Sequence, residues 1–142
     1  MYEEVFSYVR KRIDQRKPVV PISLNVSRIH LKKPGIAAYV ESLLEKYNIP
    51  PEMIEFEITE NVFIENTENV TKFVDEFHEM GVRVSMDDFG SGYSSLNLLS
   101  QLPIDVIKLD RCFLRSLNMS DKEKVVVSSI VRMTKDLGMD SL

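Results

Sequence analysis

Three short segments of this chain alternate apolar and polar residues with a period of two, and helical stripes separate them. In the first, Ile22, Leu24 and Val26 alternate with Ser23 and Asn25. In the second, Ile54, Phe56 and Ile58 alternate with Glu55, Glu57 and Thr59. In the third, Val82, Val84 and Met86 alternate with Arg83, Ser85 and Asp87. A period of two belongs to a strand, because successive side chains point to opposite faces. Strands are therefore predicted over about 21–26, 53–59 and 82–87, with a fourth after Pro103 over about 104–109. Between them, Tyr2, Val5, Phe6, Val9 and Ile13 repeat at helical spacing, as do Ile36, Tyr39, Val40, Leu43, Leu44 and Tyr47, and then Val70, Phe73, Val74, Phe77 and Met80. Pro50-Pro51 ends the second stripe, and Gly81 stands where a helix C-terminus favours glycine. A short helix is expected near 93–101. Ser120 and Glu123 have capping-box spacing for a last helix carrying Val127, Ile130, Val131, Thr134 and Leu137, with Gly138 behind it.

Strands that alternate with helices imply a parallel sheet with right-handed crossovers. Such a sheet normally buries both faces and reads as nearly continuous apolar residues. Here one face is polar. The simplest account covers the apolar face with helices and turns the polar face toward the interior of a barrel. The predicted class is α/β, an incomplete (β/α)8 TIM-like barrel of about four parallel strand-helix units, in a single domain over residues 1–142. Asn25, Glu57 and Asp87 then lie near the C-terminal ends of their strands, the rim where such barrels carry catalytic residues. Lys108 and Asp110 are two apart and share a face. A solvated face of an antiparallel sheet is the competing account; helical rather than hairpin connections weigh against it.

The segment from Asp87 to Leu96, with Asp87-Asp88-Phe89-Gly90 at its head, places two carboxylates at the end of a strand just where a glycine-interrupted turn begins. Neighbouring strand residues can reach one site only where the strand stops being regular. Hard oxygen ligands beside a loop suit Mg²⁺ or Mn²⁺. An isolated Asp-Asp pair also caps helices and turns loops; the aligned polar rims of the other strands favour the metal. Neither His30 nor His78 is needed for such an oxygen-ligand site. Ser94 and Ser95 have no neighbouring base and suit helix capping better than nucleophilic attack. The seven methionines suit core filling.

Composition excludes several classes. A net charge of −4 from 18 basic and 22 acidic residues gives no footprint for duplex nucleic acid, so a phosphate-bearing partner must be small or arrive with metal. Cys112 is the only cysteine, no apolar stretch approaches a membrane span, and Met1-Tyr2-Glu3-Glu4 lacks a signal peptide's features. A cytoplasmic location is the expectation.

Asn25-Val26-Ser27, Glu57-Ile58-Thr59-Glu60, the Asp87 to Leu96 stretch and Lys108-Leu109-Asp110 resemble, in order and spacing, the Asn-x-Ser, Glu-x-Thr-Glu, Asp-Asp-Phe-Gly and Lys-x-Asp motifs of EAL domains. These are phosphodiesterases that hydrolyse the bacterial second messenger cyclic di-GMP to linear pGpG, and the resemblance extends over roughly residues 2–138. It implies that Asn25, Glu57 and Asp87 bind a first divalent ion, Mg²⁺ or Mn²⁺, with Asp87 bridging to a second held partly by Asp88. It further implies that Lys108 orients the attacking water and offsets phosphate charge. Glu60 would hold the loop after Asp88, and that loop with its short helix, residues 88–101, is where such domains often pair. Tyr93 and Phe89 could there meet a guanine or a partner subunit, but loop packing is favoured.

The chain departs from the pattern at both ends: the Glu-Ala-Leu strand is absent, and residues 138–142 stop where relatives enter a strand ending in Ala-Glu-Gly-Val-Glu. Two expectations follow. One is an EAL-derived phosphodiesterase domain, very weak or inactive in this chain, that self-associates through the loop or through the exposed edges of strands one and four. The other is a non-catalytic remnant that binds nucleotide or serves in protein contacts within cyclic di-GMP signalling.

Overall fold

The computed structural model describes residues 1–32, 34–90, 103–111 and 120–142. Among them the helical stripes form α1 (Tyr2–Asp14), α3 (Ile36–Tyr47), α5 (Thr67–Glu79) and α6 (Asp121–Asp136), and the alternating segments form β1 (Ile22–Asn25), β2 (Ile54–Thr59), β3 (Arg83–Phe89) and β4 (Val106–Leu109). Two further helices, α2 (Arg28–Lys32) and α4 (Glu60–Glu65), follow β1 and β2 closely. With 5 and 6 residues they are too short to show a helical period in sequence. The helix expected near 93–101 falls outside the described residues, as do Tyr93, Ser94, Ser95 and Cys112.

The strands form one parallel sheet in sequence order, β1-β2-β3-β4-β5, where β5 (Asp140–Ser141) is a two-residue strand beyond the four expected. It pairs Val106 with Asp140 and Ile107 with Ser141, and Leu142 N–H donates to Ile107 O at 2.9 Å. The expected exposed edge at strand four is therefore covered; among the described residues the outer strands are β1 and β5. Two residues, one of them an aspartate, carry no readable period of two, which is why this strand escaped the sequence.

Register fixes the faces. Leu24 pairs with Phe56 and Phe56 with Val84, while Asn25 pairs with Glu57 and Glu57 with Ser85. The apolar set meets the helices: the Phe56 ring lies edge-on to Phe77 at 4.7 Å and to Phe73 at 6.2 Å, and Phe73 and Phe77 stack at 4.0 Å. Phe6, Val9, Val40, Val70 and Val74 join this core from α1, α3 and α5. Gly81, with φ +78°, turns the chain out of α5 in a conformation that β-carbon-bearing residues disfavour, and delivers it into β3.

At the other end, Ser120 accepts the Glu123 N–H while the Glu123 carboxylate accepts the Ser120 N–H at 2.7 Å, the reciprocal arrangement that its spacing predicts. These bonds hold the Glu123 carboxyl below its ordinary value. Ser120→Ala is expected to cost about 1 kcal/mol in chemical denaturation. Because the folded-state pKa is lowered, the Glu123 contribution is fully present above the unfolded-chain value and is lost as pH falls through the folded one. The difference between wild type and Glu123→Gln should therefore shrink in acid; a difference independent of pH would show that the carboxylate does not cap α6.

Candidate functional site

On the face opposite the helices, the Asp-Asp pair sits in a break of register. Met86 pairs with Ile107 and Phe89 with Leu109, so Asp87 and Asp88 on β3 lie against the single residue Lys108 on β4. Two residues opposed to one are a β-bulge. Asp88 has φ +56°, in the left-handed region that an aspartate tolerates better than most side chains, and its N–H donates to Asp87 Oδ1 at 2.9 Å. The extra residue also reverses parity: Phe89, two positions beyond Asp87, turns back into the core at 1% exposure. The strand thus runs two residues past its expected end, and Phe89 is a core side chain rather than a contact for a guanine or a partner.

Negative charge crowds this rim. The burial that Asp88 has raises its carboxyl above the ordinary value, and repulsion from Asp87 and Asp110, a hydrogen bond with Asp110 and repulsion from Glu57 push the same way. Asn25, exposed at the end of β1, is level with Glu57 in the sheet. Lys108 answers part of the charge. Its Nζ donates to Glu57 Oε1, to Glu55 Oε1 at 2.8 Å and to Ser23 Oγ at 3.2 Å. In a flat sheet strands β1 and β4 would stand about 14 Å apart, at roughly 4.8 Å per strand, beyond a lysine's reach to a serine. The contact requires a sheet curved with its polar side concave, the shape of a barrel wall.

Burial lowers the tendency of Lys108 to hold its proton, but hydrogen bonds from its ammonium to Glu55 and Glu57 outweigh it and the pKa rises. Glu55 is the converse: burial pushes its carboxyl up, while hydrogen bonds from Lys108, Ser85 and Ser23 bring it below the ordinary range. Glu55 was not singled out from the sequence, where Glu57 drew attention by lying nearer the strand end. The available signal was a second polar row, Ser23, Glu55 and Ser85, two positions before Asn25, Glu57 and Asp87.

Glu60 opens α4 at 1% exposure and accepts the Gly90 N–H on Oε2 at 2.9 Å. A buried carboxylate on the β2 side thereby grips the first residue after β3. His30 and His78 are engaged locally. His30 Nδ1 meets the Tyr2 hydroxyl at 3.0 Å and the Ser27 N–H at 3.3 Å, and His78 Nε2 meets Asp105 Oδ2 at 2.9 Å.

Asn25, Glu57, Asp87 and Asp88 offer only carboxylate and amide oxygens, which fit a hard divalent cation. Glu57 already accepts one cation, the Lys108 ammonium. Among the described residues no three His, Cys, Asp or Glu side chains converge as a ready cage, so water or substrate oxygens would complete the shell. No described helix is long and apolar enough to cross a membrane.

The EAL domain family model matches residues 1–142. The cyclic di-GMP phosphodiesterase PdeA of Borreliella burgdorferi is 36% identical over 111 residues, 78% of this chain and 17% of that protein. The cyclic di-GMP phosphodiesterase RocR of Pseudomonas aeruginosa is 32% identical over 130 residues, 92% of this chain and 33% of that protein. Among solved structures, the PaMucR phosphodiesterase in complex with c-di-GMP superposes with a TM-score of 0.84 at 28% identity, covering 98% of this chain and 56% of that one. The EAL domain of Mycobacterium smegmatis DcpA gives 0.85 at 27%, covering 99% and 63%. The chain therefore spans less than two thirds of each of these relatives, and it belongs to the EAL domain family.

Proposed function

We propose that this chain carries the cation-binding and lysine part of a phosphodiesterase site that hydrolyses cyclic di-GMP to linear pGpG. The observation that carries the reading is the bulge that sets Asp87 and Asp88 against Lys108, beside Glu57. Names of the relatives PdeA and RocR support the substrate. In this reading Asn25, Glu57 and Asp87 hold one Mg²⁺ or Mn²⁺, and Asp88 helps to hold a second. A bound divalent ion supplies an activated water and a neutralising charge for the phosphodiester. Lys108, within reach of Glu57, orients that water and offsets phosphate charge. Glu60 fixes the turn at Gly90 so that Asp87 and Asp88 keep their places.

A second reading, a non-catalytic module that binds nucleotide or a protein partner, is favoured by one observation. Glu57 is engaged by Lys108, and no three acidic or histidine side chains among the described residues form a cage. Cation binding separates the readings first. Calorimetry with Mn²⁺ is expected to show weak binding that Asp87→Asn weakens further by removing a ligand charge; equal affinity in both proteins would take Asp87 out of the site.

Turnover separates them next. Glu57 is held by Lys108 and no three acidic or histidine side chains among the described residues converge, so the 142-residue chain assayed by itself should form pGpG slowly or undetectably. Each missing transition-state contact lowers rate by about 10²- to 10³-fold. Robust product that vanishes in Glu57→Ala would show instead that these ligands suffice.

Self-association is the remaining element of the proposal. Its motive is the outer strand β1, whose outward backbone groups have no strand beside them among the described residues. The alternative contact, through loop 88–101, involves residues mostly outside those described. Light scattering should show mass above the monomer rising with concentration; a constant monomer would remove the edge argument.

A further inference from the structure

Glu55 is charged and 9% exposed, and none of the roles above uses it. A carboxylate in that position needs partners, and its Oε1 has three: Ser23 Oγ at 3.0 Å, Ser85 Oγ at 2.9 Å and Lys108 Nζ at 2.8 Å. The hydroxyls come from β1 and β3, one on each side of β2, so Glu55 is pinned from both flanks. Lys108 has three hydrogens and three acceptors, Ser23, Glu55 and Glu57. Of the two carboxylates, Glu57 lies one step nearer the rim, beside Asn25 and the bulge. A divalent cation on Glu57 would repel the ammonium from it, and only Glu55 and Ser23 would then keep Lys108 within the concave face.

We propose that Glu55 is a positioning residue: it retains the Lys108 ammonium inside the site when a divalent cation takes Glu57. This rests on the reading of Glu57 as a cation ligand. Its consequence is a division of labour between two glutamates on one strand face. Glu57 exchanges one cation for another, whereas Glu55 keeps the lysine throughout. Without Glu55, Lys108 would fall back on Glu57 and compete with the metal.

Two measurements on the 142-residue chain test this. In metal-free protein, the ¹⁵Nζ signal of Lys108 should be sharpened by slow hydrogen exchange in wild type and in Glu57→Gln, where Glu55 alone of the two carboxylates holds it, and lost when Glu55→Gln is added to Glu57→Gln. Loss of the signal in Glu57→Gln, or its retention in the doubly substituted protein, would overturn the proposal. In Mn²⁺ titrations, Glu55→Gln should weaken binding about tenfold, as expected for one charge-assisted hydrogen bond redirected onto the ligand. In a Lys108→Met background the same substitution should change nothing. Equal weakening in both backgrounds would make Glu55 a direct ligand and also overturn the proposal. If no protein binds Mn²⁺, the ligand reading of Glu57 fails, while the exchange measurement still decides whether Glu55 holds Lys108. Should Glu55→Gln not fold, Ser85→Ala takes its place, with partial loss of the signal expected and an unchanged signal counting against the proposal.

Discussion

The Lys108 ammonium on β4 reaches side chains of β2 and β1 and ties three strands of the sheet together on its polar face. Helices cover one face of the parallel sheet, and burial of Phe56, Ile58, Val84, Met86 and Ile107 commits every alternate residue to the opposite side. That side carries Glu55, Glu57 and Asp87 within one sheet, a concentration of negative charge that a partly buried surface cannot hold unbalanced. The Lys108 ammonium on β4 offsets it by reaching Glu55 and Glu57 on β2 and Ser23 on β1. Charge balance and sheet curvature are thus one requirement, since only a concave sheet brings these groups together.

The bulge at Asp87-Asp88 depends on the same frame. Phe89 must return to the core, and the Gly90 N–H must reach the buried Glu60 carboxylate; both are met by inserting one residue opposite Lys108. The inserted position leaves Asp88 with a left-handed backbone and sets a second carboxylate beside the first. A strained residue kept by its surroundings at a charged rim is where function concentrates. The roles proposed for Asn25, Glu57, Asp87, Asp88, Lys108 and Glu60 follow the same rim.

Much of this was legible in the chain. Period-two alternation gave β1 to β3 and the shared face of Asn25, Glu57 and Asp87, Pro103 marked the approach to β4, the intervening helices implied the parallel order, and the Ser120 to Glu123 spacing gave the cap of α6. Helices α2 and α4 and strand β5 were not legible, because five, six and two residues fall below the length at which a period can be recognised. Nor did the sequence single out Glu55, which shares a face with Glu57 but stands two residues farther from the end of the strand.

The sequence by itself determined which residues face the helices and which face the concave side, because alternation is a property of the backbone and needs no partner. Tertiary structure decided what those polar residues do. Lys108 stands 85 positions from Ser23 and 51 from Glu57, and whether its ammonium meets them depends on curvature and register that no local pattern encodes. The fate of Phe89 was decided in the same way, by a single residue of slippage between β3 and β4 that neither sequence shows by itself.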